Sequence, residues 1–67
     1  MIASNVRAIM KEKGKTILGL ADEAKLAKQS IDRARGPLIR ECRLSTLEAI
    51  AGALGVKVKD LFEEVEG

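Results

Sequence analysis

The chain has 67 residues, one cysteine, no histidine and a formal net charge of +2. That length allows one domain, near the lower limit for a self-sufficient core, and a lone thiol supports neither an internal disulfide nor a structural zinc site. The charge is uneven: ten basic against five acidic residues over 1–43, then two against five over 44–67, a basic side and an acidic tail.

In chain order the apolar periodicity predicts five helical segments and no strand. The first runs from about Ile2 to Lys13, because Ile2, Val6, Ile9 and Met10 recur at spacings of three and four. Gly14 follows a lysine-rich last turn and ends it. The second opens at Thr16, whose hydroxyl suits the free N–H groups of a first turn. Its apolar face is Ile17, Leu20, Ala21 and Ala24. Gly19 inside it costs up to about 1 kcal/mol relative to alanine, which a close approach by another backbone would explain.

Ala24-Lys25-Leu26-Ala27 is a tight turn, with Lys25 where glycine is usual in such units. The third segment, about Lys28 to Arg35, sends Lys28, Gln29, Asp32 and Arg33 away from a small apolar face of Leu26, Ile31 and Ala34. A helix of this design holds to a scaffold by its inner face and offers a polar outer face to a DNA major groove. Gly36-Pro37 stops it, and Leu38 and Ile39 are expected to fold part of the 37–43 connection onto the core. Ser45-Thr46-Leu47-Glu48 has the spacing of a capping box and is read as the start of the fourth helix, with Leu44 stapled to Ala49. Leu47, Ile50, Ala51 and Leu54 are its buried face, and Gly55 closes it. A fifth helix, about Val58 to Val65, buries Leu61 and Phe62, and its acidic end opposes the helix dipole and is expected to fray. Val65 is read as frayed or as part of a dimer interface.

Asn-Val-Arg-Ala-Ile-Met-Lys-Glu-Lys-Gly at 5–14, Leu20-Ala21, Ser30-Ile31, Leu-Glu-Ala-Ile-Ala-Gly-Ala-Leu-Gly-Val at 47–56 and Asp60-Leu61-Phe62 occur in an order and spacing that cover nearly the whole chain. In these the sequence resembles the Cro and C1-type helix-turn-helix regulators, the lambda-repressor-like DNA-binding domains of phages and bacteria. The resemblance implies an all-α, compact five-helix domain over 1–67, with the helix-turn-helix at about 16–35. It implies base reading by Lys28, Gln29 and Arg33, and phosphate contacts by Ser30 and the flanking basic residues. The chemistry agrees: Gln pairs bidentately with adenine, while Arg and Lys suit guanine. Asp32 is expected to orient Arg33 or Lys28.

Arg40 and Arg43 fit backbone clamps, which add affinity without sequence information. Many family members carry Gln after the Thr that opens helix 2. Here Ile17 stands there, so that contact is absent or supplied by a neighbour such as Lys15; Lys15 and Thr16 are the backbone-contacting residues expected at that end. The linker after helix 3 is about one residue longer than in the commoner members.

These readings imply a sequence-specific transcriptional regulator, a repressor of the phage or prophage kind, acting as a homodimer on a palindromic operator in double-stranded DNA. No catalytic residue, metal, cofactor or small-molecule effector is expected, because the chain has no phosphate-cradling glycine loop, no metal-ligand cluster and too little length to enclose a substrate. An interaction module such as an antitoxin is the alternative, against which the basic surroundings of helix 3 argue. No apolar run nears the roughly 18 residues of a membrane span, and the first residues lack the pattern of a secretion signal. A cytoplasmic protein with Cys42 as a small, partly buried free thiol is the expectation.

Overall fold

The computed structural model describes residues 1–66. Four α-helices form the body: α1 (Val6–Glu12), α2 (Ile17–Ala24), α3 (Lys28–Ala34) and α4 (Leu44–Leu54). Two 3-10 turns, Pro37–Glu41 and Val58–Leu61, follow α3 and α4. Two short strands, β1 (Ile2–Ser4) and β2 (Phe62–Glu64), pair antiparallel and bring the two ends of the described chain together.

The ribbon corrects the all-helical expectation. The apolar pattern predicts Ile2 in the first helix and 62–65 in a fifth, but the first helix opens at Val6 and the helical part of the last segment is only the 3-10 turn Val58–Leu61. Register is Ile2 with Glu64, Ala3 with Glu63, and Ser4 with Phe62. The Asn5 N–H to Leu61 C=O bond (2.8 Å) and the Val65 N–H to Met1 C=O bond (2.7 Å) continue the ladder at both ends. Three-residue strands carry too few residues to reveal a period of two, and their partner lies some sixty residues away. In the strand, Glu63 and Glu64 meet no helix dipole, so the expected fraying of a helix end does not arise.

The helices end as the sequence suggests. Gly14 (φ +67°), Lys25 (φ 57°) and Gly55 (φ +71°) take the left-handed conformation after α1, α2 and α4. In each case the next residue's N–H reaches back five residues: Lys15 to Met10, Leu26 to Ala21, and Val56 to Ala51, at 2.8 to 3.0 Å. This is the Schellman closure, and it turns the chain sharply without leaving the last carbonyls bare. At the start of α2 the Thr16 hydroxyl accepts the Gly19 N–H at 3.0 Å. That cap also accounts for Gly19: a Cβ there would lie 3.0 Å from Thr16 Oγ1. The close approach is the capping hydroxyl, not a second backbone.

The start of α4 differs from the capping-box reading. The 3-10 turn closes with Cys42 N–H on Ile39 C=O (3.0 Å), and only Cys42 and Arg43 are extended before the helix. Arg43 is therefore the N-cap, with no side-chain cap, and Ser45 lies inside the first turn. Leu44 is 64% exposed, so it staples nothing. The reciprocal use of an acid at a helix start occurs instead at Val58–Leu61, where the Asp60 carboxylate accepts the Lys57 N–H (3.1 Å).

The core is wholly apolar among the described residues: Val6 and Met10 of α1, Leu20 and Ala21 of α2, Ile31 and Ala34 of α3, Ile39, four α4 residues (Leu47, Ile50, Ala51, Leu54) and Leu61. Phe62 is half-buried against it rather than enclosed. Of the two residues expected to fold the 37–43 connection onto the core, Ile39 is buried and Leu38 is half exposed.

Candidate nucleic-acid interface

The placement of α3 follows from its two buried residues. Ile31 and Ala34 are both 0% exposed, and with 3.6 residues per turn they fix which side faces outward. Gln29 lies nearly opposite them, flanked by Lys28, Asp32 and Arg33, all exposed. Ahead of α3, left-handed Lys25 sets the angle between α2 and α3, and Leu26 tucks part of its side chain against the core. Ala27 is the N-cap and supplies no side-chain bond; its carbonyl accepts the Ser30 N–H at 3.0 Å, and the first turn of α3 has no side-chain cap from it.

The far end of α3 is tied by a residue that sequence reasoning missed. The Ser4 hydroxyl donates to the Ala34 carbonyl and accepts the Val6 N–H at 3.2 Å. One hydroxyl thus joins β1, the start of α1 and the last turn of the candidate reading helix. Ser-Asn just before an apolar periodic run is a helix-start signal that was available in the sequence, masked by extending the helix back to Ile2.

Three of the expected contact residues share one place. Ser30, Arg33 and Arg43 line a polar cleft of about 320 Å³ together with Glu41, Cys42 and Thr46. The cleft lies between the outer side of α3 and the first turn of α4. Thr46 was not among the candidates; a hydroxyl in a helix's first turn was its only sequence signal. Lys28 and Gln29 stand outside the cleft on the exposed start of α3.

Arg40 is not with them. It lines an apolar pocket of about 210 Å³ with Ile2, Ile39, Leu47 and Phe62. Cys42 borders both spaces. Burial pushes its thiol above the usual value, opposed by the nearby Arg33 cation and assisted by Glu41. Lys15 holds Glu23 at 2.9 Å and 3.1 Å, and the Thr16 hydroxyl is engaged in its cap. Asp32 pairs with neither Arg33 nor Lys28; its cationic neighbour is Arg35, at 3.8 Å, one helical turn on. The three-residue spacing puts Arg35 on the same strip of the helix as Asp32.

Two helices joined by a Schellman turn, the second presenting an uncapped start and a polar outer face, define a helix-turn-helix domain. The family model of the Cro/C1-type HTH DNA-binding domain matches residues 5–66, and the chain belongs to that family. Among curated proteins none matches the chain significantly. The family makes this a DNA-binding domain of the type found in transcription regulators, a class that is generally not enzymatic. Among the described residues no group of His, Cys, Asp or Glu is arranged to hold a metal, and no helix is long and apolar enough to cross a membrane.

Proposed function

We propose that the chain is a sequence-specific repressor that binds a palindromic operator as a homodimer. The exposed start of α3 enters the major groove. Gln29 reads adenine, and Lys28 and Arg33 read guanine on neighbouring base pairs. Ser30 and Arg43, with Thr46 beside them, hold one phosphate in the polar cleft. Lys15 and Thr16 touch the backbone at the other end of the unit. Arg40, set among apolar side chains, adds charge to the approach rather than a clamp.

The observation that carries this reading is the clustering of Ser30, Arg33 and Arg43 in one cleft beside the exposed face of α3. In that cleft the Arg43 cation and two hydroxyls suit a phosphate, against the single carboxylate of Glu41, and Arg33 at its edge leads to the exposed start of α3 and the groove next to that phosphate.

The test is selection of bound sites from random duplex DNA with purified protein at physiological salt. An enriched inverted repeat with half-sites about one DNA turn apart is the expected outcome. Binding without any enriched motif refutes sequence-specific reading.

A further inference from the structure

We infer that Asp32 is a fourth base-reading residue and that the base it selects is cytosine. The inference rests on the DNA reading of the preceding section and adds a position to the operator.

The two buried residues of α3 set the geometry. Each residue of an α-helix turns by about 100°, so the direction opposite Ile31 and Ala34 falls within about 10° of Gln29. Asp32 and Arg33 lie about 50° to either side of that line, and Lys28 lies about 90° from it. Asp32 is therefore nearer the centre of the outward face than Lys28 and as near as Arg33. If that face enters the major groove, the Asp32 carboxylate enters with it.

The carboxylate is not used up within the chain. Among the described residues its ion pair is with Arg35, whose Nη1 stands 3.8 Å from Oδ1, beyond hydrogen-bond length. Arg35 leaves the helix on its flank, about 110° from the outward line. The outward side of Asp32 stays open, and its side chain is 48% exposed. Neither Lys28 nor Arg33, the cations on the same face, pairs with it.

An anion near the centre of a face that enters a polyanion has one favourable use there. An ionised carboxylate only accepts hydrogen bonds, so it needs an amino group on a base edge. In the major groove guanine shows N7 and O6 and thymine shows O4, all acceptors that oppose it. Adenine offers its N6 amino group beside an opposing N7. Cytosine offers its N4 amino group with no acceptor of its own beside it. The order is therefore cytosine, then adenine, with guanine and thymine rejected. Where no amino group is met, the carboxylate is left unpaired close to phosphates and weakens the complex. Asp32 thus acts against wrong sequences as well as for the right one, whereas Lys28 and Arg33 are attracted to DNA of any sequence.

Selection from random duplexes with the full chain, wild type beside Asp32→Ala and Asp32→Asn, tests this. The position is exposed and alanine favours a helix, and circular dichroism checks that each variant is folded. The wild-type motif is expected to hold one cytosine per half-site, preferred about fivefold or more, and Asp32→Ala to lose that preference while the other positions keep theirs. Asp32→Ala is also expected to bind a motif-free duplex more tightly than wild type does. Asp32→Asn is expected to admit adenine at that position, because its amide can pair with adenine N6 and N7. An Asp32→Ala motif identical to the wild-type one overturns the inference and leaves the carboxylate as a repelling charge only. A relaxed position that preferred a base other than cytosine, or an Asp32→Asn that keeps strict cytosine, overturns it too. The two readings fail apart: a wild type that enriches no motif refutes the DNA reading and this inference with it, while a wild-type motif that Asp32→Ala leaves unchanged refutes this inference alone.

Discussion

Replacing Ser4 with alanine tests whether one hydroxyl locks α3 to the strand ribbon. The substitution removes the bond to the Ala34 carbonyl and the one to the Val6 N–H, both groups belonging to residues 0% exposed. A typical hydrogen bond contributes about 1 kcal/mol net, and a buried group left bare costs about 1–3 kcal/mol. Ser4 itself is half-buried, so water reaches part of the vacated space, and the loss expected is about 2 kcal/mol in total. A chain of 67 residues has about 3–10 kcal/mol to lose. The urea midpoint is therefore expected to fall by about 2 M at a slope near 1 kcal/mol/M, the low end of the range for so small a domain. Thermal melting should fall by about 8–16 °C. Ser4→Thr keeps the hydroxyl and should recover most of the loss. A Ser4→Ala midpoint within about 0.3 M of wild type would refute the idea that this hydroxyl anchors α3.

Four further outcomes are expected. Gln29→Ala should relax the preference at one operator position at a cost of about 1–3 kcal/mol, whereas Arg43→Ala should weaken binding to all duplexes and lower the salt slope by about one, as competition assays at several salt concentrations will show. Arg40→Ala should lower the salt slope by less than Arg43→Ala, since it stands outside the polar cleft. Lys25→Gly should raise stability by about 0.5–1 kcal/mol in urea titration, because left-handed lysine costs about 1–2 kcal/mol and glycine returns part of that as chain entropy. Cys42 should alkylate more slowly than a free thiol at neutral pH and speed up only at pH above the ordinary thiol range, since burial favours its protonated form; a rate equal to that of the urea-unfolded chain would contradict this.

The helical core was legible because its signals are local. Apolar residues at spacings of three and four named Val6, Met10, Leu20, Ile31, Ile50 and Leu54 as buried, and all are. Gly14, Gly36-Pro37 and Gly55 marked ends where the chain does stop. Even the non-glycine turn at Lys25 was visible, since the flanking helices leave no other way round. The outer face of α3 followed once Ile31 and Ala34 were placed inward.

What the tertiary structure decided depends on partners far apart in sequence. Ile2 fits a helical face and a strand equally well, and only pairing with Phe62–Glu64 chooses the strand. Ser45 satisfies a capping-box pattern, yet the preceding 3-10 turn uses up the chain so that α4 begins at Leu44. Arg40 and Arg43 are three residues apart and look alike as letters. The turn between them sends Arg43 to the cleft beside Ser30 and Arg33, and Arg40 to an apolar pocket behind it. Local patterns set which residues form helices and which side of each is apolar; where the ends pair and which charges converge is fixed by contacts that exist only once the chain has closed on itself.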